Sequence, residues 1–293
     1  MSNAVASYWD QYVGTHLNSP DHWEANQVVQ QFQWKLITGN PFQNPVDWFL
    51  AKYGPFGRMA SICCGSGILE HHIASNYPHS QGGGSIDGFD ISPGSIEVAN
   101  SKCRELTGVQ FFVRDVNTDP WESNAYDAIF AHGALHHVEN LDFCLGQLSK
   151  ALRPSGVLYV NDYVGPKRFQ WTELQRLLAQ KLFENIPEQY RRSDHVVRCD
   201  SDALKQMDPS EAVCPDEIIE HLQAHFTIVE RIDRGGSILG PIFGSGCIDP
   251  SIFTTNEGMD IIDRLCALEK QIIDNGILDT DNVLIIASPK KQG

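Results

Sequence analysis

The chain has 293 residues, enough for one large α/β domain with additions or two small ones, and the first arrangement is expected. Its 37 acidic and 22 basic residues leave a formal net charge of -15, which argues against a nucleic-acid backbone or an anionic membrane surface as partner, since no basic patch is visible. Eight cysteines occur without any Cys-x-x-Cys pair, so no zinc cage, metal site or disulfide framework is expected and a reducing cytoplasm fits; no apolar run approaches the roughly 18 residues of a membrane span, and no signal peptide is read at the start.

Residues 1–50 are rich in aromatics, among them Tyr8, Trp9, Tyr12, Trp23, Trp48 and Phe49. Val28, Val29, Phe32 and Leu36 recur at helical spacing until Gly39-Asn-Pro41 ends the run, which predicts an N-terminal helical cap folded over the sheet. Residues 51–293 are expected to form the core, with cap insertions at about 166–225 and 237–281.

Between 58 and 165 apolar runs alternate with helical patterns, the mark of a parallel sheet with crossovers. Strands are predicted at 59–63, 85–89, 109–113, 126–131 and 156–162. Helices are predicted after Gly67, from Gly94 to Leu106 behind Ser92-Pro93, and from Leu141 to Leu152 behind Asn140. Gly65 and Gly67 break the first strand and open the first helix, a place where backbone N–H groups and the helix dipole favour an anionic group. A dinucleotide fingerprint wants a third glycine where Glu70 stands, and no Gly-Lys-Ser/Thr follows, so the turn suits a single nucleoside. Asp90, at the end of the second strand, lies at about the separation from which a carboxylate reaches a ribose hydroxyl pair.

Beyond Gly165 a helix is expected from Thr172 to about Asn185, then an aperiodic polar stretch from Tyr190 to Cys214, a helix at 215–224 and a sixth strand at 226–232. Residues 235–256 read as loop, Thr254-Thr-Asn-Glu257 as a capping box for a long helix stopped by Gly276, and 282–288 as a seventh strand. Ligands of such sheets bind outside the carboxyl ends of the strands, which here carry Cys63 to Gly67, Asp90 and Ile91, Asp115 and Val116, His132 to His137, and Asp162 and Tyr163.

Cys64-Gly-Ser-Gly67, Asp90, Arg114-Asp-Val116, Tyr126-Asp-Ala-Ile-Phe-Ala131 with Leu135-His-His-Val138, and Leu152-Arg-Pro-Ser-Gly156 together resemble the successive motifs of class I S-adenosylmethionine-dependent methyltransferases. The flanking segments 163–171 and 208–213 look like a bacterial branch acting on small molecules. The resemblance implies a Rossmann-like, seven-stranded, mostly parallel sheet whose last strand is antiparallel. It implies S-adenosyl-L-methionine as cofactor, with the turn at Cys63, Gly65 and Gly67 receiving the methionine carboxylate and amino group. Asp90 would hold the ribose, Ile91 would lie against the adenine, Asp115, with Val116 beside it, would take the adenine amino group, and the backbone at Ala131 and His132 would line the methionine. Two positions depart from the family: Ser61 stands where it usually has an acid, and Cys63 where it has glycine.

A sulfonium is positively charged, and Glu70, Asp90 and Asp115 are expected to line an acidic cleft that attracts it. For an acceptor that must lose a proton the candidate bases are His136, His132 and Tyr163, with His137 behind them, because adjacent His136 and His137 do not easily point into one cleft. Their spacing is also wrong for a helical metal pair. His71 and His72 are read as helix-surface residues, Arg168 as solvated, Trp171 as buried, and Tyr8 and Tyr12 as able to close over the donor. The expected activity is methyl transfer to O or N of a small metabolite, with natural-product tailoring in view, by a monomer or homodimer. The alternatives are a non-methylating reaction such as cyclisation, or a non-catalytic binding module.

Overall fold

A computed structural model describes residues 2–12 and 23–290. Strands buried on both faces favour near-continuous apolar runs, and the central strands carry such runs in their interiors, with polar residues mostly toward their ends. These strands are β1 (Arg58–Ile62), β2 (Ser85–Asp90), β4 (Tyr126–His132), β5 (Leu152–Tyr163) and β7 (Asn282–Pro289). The outer strands, β3 (Val109–Val113) and β6 (Phe226–Gly235), alternate or expose their residues, as edges do. The sheet runs β3-β2-β1-β4-β5-β7-β6, with β7 antiparallel to both its neighbours and the rest parallel, as expected. Strand order therefore reverses between β1 and β4, and the carboxyl ends of these two strands flank the crevice.

The period of two sorts side chains between the faces. Ala60, Ile62, Ile129 and Ala131 join the core under α6 (Leu141–Ala151) and α9 (Ile218–His225). Met59, Ala128 and Phe130 turn to the other face, where Phe49 of α3 (Pro45–Tyr53) and Ile73 of α4 (Ile68–Asn76) cover them. On β3, Phe111 packs under Ile96, Ala99 and Cys103 of α5 (Pro93–Cys103).

A separate apolar cluster joins Val29 of α2 (Gln27–Thr38), Phe183 of α7 (Glu173–Phe183), Leu239 and Ile242 of α10 (Leu239–Phe243), and Leu265 and Cys266 of α11 (Asn256–Asp274). The remaining helices are α1 (Ser2–Tyr12), packed on α5, and α8 (Ser201–Met207). Among the described residues, α8 and α10 lie where no helix was expected, and α3 falls at the end of the predicted N-terminal cap. α3 begins behind Asn44-Pro45, whose Asn side chain caps Val46 N; α8 is capped by Asp200; α10 is a five-residue turn within the predicted loop. The long helix is capped one residue later than predicted, by Thr255 accepting from Gly258 N, and the capping box is found instead at Thr172 and Gln175.

Gly67 has φ +72°, and a Cβ there would sit 2.9 Å from Ala99 Cβ and from Phe111 Cζ. Close packing of α4, α5 and β3 thus demands glycine twice over, by dihedral and by space. Gly67→Ala is expected to destabilise the protein by about 1–3 kcal/mol in urea unfolding. An unchanged midpoint would show that the α5 contact yields freely.

Candidate active site

The turn after β1 takes positive φ at three residues, 50° at Cys63, 52° at Gly65 and 72° at Gly67, which is costly only at the non-glycine Cys63. It is tied to β2 by Cys64 N donating to Phe89 O at 3.0 Å and by Gly65 N donating to Asp90 Oδ2 at 2.9 Å. The other oxygen of Asp90 accepts from Ser92 N at 2.9 Å. Burial raises the carboxyl pKa of Asp90 against these opposing hydrogen bonds. The Gly65 amide expected to meet a methionine carboxylate is therefore held by Asp90 in this conformation. Ile91 is half-buried and Val116 buried, while Asp115 Oδ1 closes its own turn by accepting from Asn117 N and Nδ2 at 2.9 and 3.0 Å.

Glu70 does not line the cleft as a surface charge. It is fully buried beside Ser61, whose hydroxyl donates to Glu70 Oε1, and its Oε2 has no hydrogen-bond partner among the described residues. Burial pushes its pKa up to about 7 despite the Ser61 hydrogen bond. The acid absent at position 61 is thus supplied from α4 to the same spot.

Across the switch point the turn Leu135–His137 leaves β4 and docks on β5 through Asp162. Its Oδ2 accepts from Ala134 N and Leu135 N at 2.9 and 2.7 Å, and its Oδ1 lies 2.5 Å from His136 Nδ1. Burial opposes a charge on His136, but Asp162, with Glu211, overrides it and raises the imidazole pKa to about 9. Burial would push Asp162 up, yet His136 and the backbone N–H groups hold its carboxyl below the usual range. His137 is lowered by burial and by His136.

His136 and His137 do meet in one place, contrary to expectation. Their ring centroids are 4.0 Å apart, and His136 Nε2 and His137 Nε2 lie 3.6 and 4.0 Å from the two oxygens of Glu211. A tight 3-10 turn splays neighbouring side chains less than a strand does, which is what admits both. Sequence reasoning gave Glu211 no role. Arg168 explains its position: rather than solvated, this guanidinium is buried and donates to the carbonyls of Asp208, Pro209 and Glu211. Val213 N adds a bond to His136 O at 2.9 Å, fastening the loop to the turn.

His132 is exposed to solvent at the carboxyl end of β4. Desolvation by neighbouring groups and the nearby Arg234 guanidinium lower its pKa to about 4. Arg234 contacts Asn161 Oδ1 and Gln33 Oε1, with Glu24 at 4.0 Å. Tyr163 donates its hydroxyl to Pro166 O at 3.0 Å, and burial raises its pKa, so it is not prepared as a base at neutral pH. His71 and His72 are half-buried, His72 lying 2.8 Å from Asp47, and Trp171 is buried as expected.

Helix α1 bridges the two sides. Asp10 Oδ1 accepts from Ser92 Oγ and Gly94 N at 2.6 and 2.8 Å, and Trp9 donates to Ser210 Oγ at 3.4 Å while meeting His137 edge-on at 5.3 Å. Tyr8 packs edge-on against Trp9, and the side chain of Tyr12 lies outside the described residues.

The profile of a methyltransferase domain matches residues 59–228, more than half of the chain. The chain belongs to the methyltransferase-domain family. Among curated relatives of this methyltransferase-domain protein, malonyl-[acyl-carrier protein] O-methyltransferase 1 of Ilyobacter polytropus is 33% identical over 126 residues, covering 43% of this chain and 45% of that protein. Demethylmenaquinone methyltransferase of Tropheryma whipplei is 28% identical over 116 residues, covering 38% and 48%. The chain thus spans less than half the length of these curated relatives. In fold it resembles geranyl diphosphate C-methyltransferase of Streptomyces coelicolor A3(2), with TM-score 0.57, 12% identity and coverage of 99% and 98% of the two chains. No helix among the described residues is long and apolar enough to cross a membrane.

Because the Glu70 pKa is raised on folding, its ionisation opposes the folded state. The methyltransferase-domain protein should lose up to about 3 kcal/mol of stability as pH rises from below the ordinary glutamate value through about 7. In urea unfolding at pH 5 and pH 8, Glu70→Gln should show a smaller loss than the wild type; equal losses would mean that Glu70 titrates normally.

Proposed function

We propose that this protein transfers a methyl group from S-adenosyl-L-methionine to O or N of a small metabolite. The observation that carries the reading is the approach of the Asp90 carboxylate to the Gly65 turn at the switch point, 2.9 Å from the backbone N–H. A carboxylate offers about four acceptor sites. Asp90 spends two on Gly65 and Ser92, which leaves capacity for a ribose hydroxyl pair. Glu70 at the third glycine position disfavours a pyrophosphate, so the residues fit one adenosine with an amino-acid tail. The S. coelicolor neighbour was solved with S-adenosyl-L-homocysteine, which agrees with this choice of cofactor.

Bound there, the cofactor would supply an electrophilic methyl on a sulfonium. Cys63, Gly65 and Gly67 would cradle its amino-acid end, Asp90 and Ile91 its ribose and adenine, Asp115 and Val116 the far edge of the base, and the backbone at Ala131 and His132 its methionine chain. Holding both reactants in line contributes on the order of 7–11 kcal/mol to lowering such a barrier. At neutral pH His132 is uncharged but a weak base, whereas His136 carries a proton between Asp162 and Glu211 and presents positive charge to an acceptor oxygen. All eight cysteines are free, in keeping with a cytoplasmic location.

Calorimetry with S-adenosylmethionine and S-adenosylhomocysteine tests the reading, and binding of neither would remove it. Asp90→Ala should weaken S-adenosylhomocysteine binding about ten- to a hundredfold through loss of charge-assisted hydrogen bonds. With a metabolite panel, the product should be heavier than the acceptor by one methylene.

A further inference from the structure

The turn after β4 and the loop at 208–213 bring together a set of side chains that methyl transfer from a sulfonium does not itself require. We propose that His136, His137 and Glu211 form a binding site for one divalent first-row transition-metal ion. The site goes beyond the methyl-transfer reading: its existence does not depend on that reading, although its use by an acceptor would.

One ligand atom from each of the three residues can be chosen so that all lie within 4.8 Å of one another. A tetrahedral ion with metal–ligand bonds of about 2.0–2.2 Å sets its ligand atoms roughly 3.4 Å apart. His136 Nε2 stands 3.6 Å from Glu211 Oε1 and His137 Nε2 4.0 Å from Glu211 Oε2, so the carboxylate faces both rings at near that spacing. Both are too long for hydrogen bonds, so Glu211 is not spent on holding either ring. The three side chains are 14%, 15% and 23% exposed, which leaves an entry path into a mostly enclosed site.

The surroundings are built as those of a metal site are. A ligating imidazole usually gives its second nitrogen to a carboxylate or hydroxyl, which fixes the ring and directs the first nitrogen at the ion. His136 Nδ1 is engaged by the fully buried Asp162 at 2.5 Å, leaving Nε2 toward Glu211. His137 Nδ1 is engaged by Ser210 Oγ at 3.3 Å, and Ser210 donates in turn to Asp208 Oδ1 at 2.7 Å. The third ligand is positioned from behind by Arg168, which grips the carbonyls of its loop, and by Val213 N on His136 O. Every element that could let the triad drift is thus pinned by a second contact.

Ligand type selects the ion. Two imidazoles and one carboxylate suit Zn2+, Co2+, Fe2+ or Mn2+ better than the oxygen-loving Mg2+ or Ca2+, and three protein ligands leave positions open. Within the methyl-transfer reading, an acceptor oxygen or carboxylate would occupy an open position, and the ion would replace the proton on His136 as the local positive charge.

The test uses the whole 293-residue chain freed of metal with a chelator and titrated with Co2+, whose visible spectrum separates imidazole and carboxylate ligation from thiolate ligation by the free cysteines. The wild type should take up one equivalent with a nitrogen and oxygen spectrum. Glu211→Gln and His137→Ala should each weaken binding at least about a hundredfold, and Ser210→Ala, which frees the His137 ring, about tenfold. Circular dichroism and S-adenosylhomocysteine calorimetry on the same samples report whether each variant keeps its fold. No Co2+ uptake by the wild type, a thiolate spectrum, or equal affinity in folded Glu211→Gln and wild type would overturn the proposal. Should S-adenosylhomocysteine fail to bind the wild type while Co2+ binds as expected, the methyl-transfer reading falls and the metal site stands.

Discussion

A buried carboxylate at the end of β5 governs the β4 side of the crevice. Asp162 is wholly enclosed, so its charge must be met by donors supplied by the fold, since an unpaired buried carboxylate is among the costliest groups a protein can hold. Besides Tyr163 N on its own strand, the donors are Ala134 N, Leu135 N and the His136 imidazole, all three on the turn that leaves β4. Satisfying Asp162 therefore dictates the path of that turn, and that path sets where His136 and His137 point. Glu211 faces them because its own loop is fastened to His136 O.

The same device works on the other side of the crevice. Asp90 ends β2 as Asp162 ends β5, and it also gathers backbone N–H groups, from Gly65 and Ser92. In both cases a strand-end acid pins a turn belonging to a different segment. The difference lies in what remains over: Asp90 keeps acceptor capacity for a ligand, whereas Asp162 delivers its charge to an imidazole. Glu70 is a third buried acid with a third outcome, since it faces Ser61 and stays near the midpoint of its ionisation at neutral pH.

Between these fixed points lie the parts that would choose an acceptor. Helices α2, α7, α10 and α11 share an apolar cluster separate from the two packed on the sheet faces, so they hold together without borrowing the core of the sheet. From their neighbourhood come Glu211, Arg168, Arg234 and Glu24, while α1 spans from the Ser92 cap to Ser210 and His137. The polar groups of the crevice are thus drawn from segments before, within and after the alternating strands and helices.

The sequence by itself determined the seven strands, their parallel run with a reversed last strand, and the strand-end positions at which Asp90, Ile91, Asp115, His132, His136 and Asp162 would gather. The strands and their ends follow from local signals, namely apolar runs alternating with helical patterns, glycines where φ turns positive and cap residues before several helices. The reversed last strand rested instead on the resemblance of the successive motifs to a known family. Even among local features α8 and α10 escaped, because helices of seven and five residues are too short to show a period. Only the tertiary structure decided that Glu70 takes the place beside Ser61, that Arg168 is buried rather than solvated, and that His136, His137 and Glu211 converge. Each of these depends on a distance between side chains far apart in the chain, set by how turns dock on strand ends, and no local pattern of residues encodes such a distance.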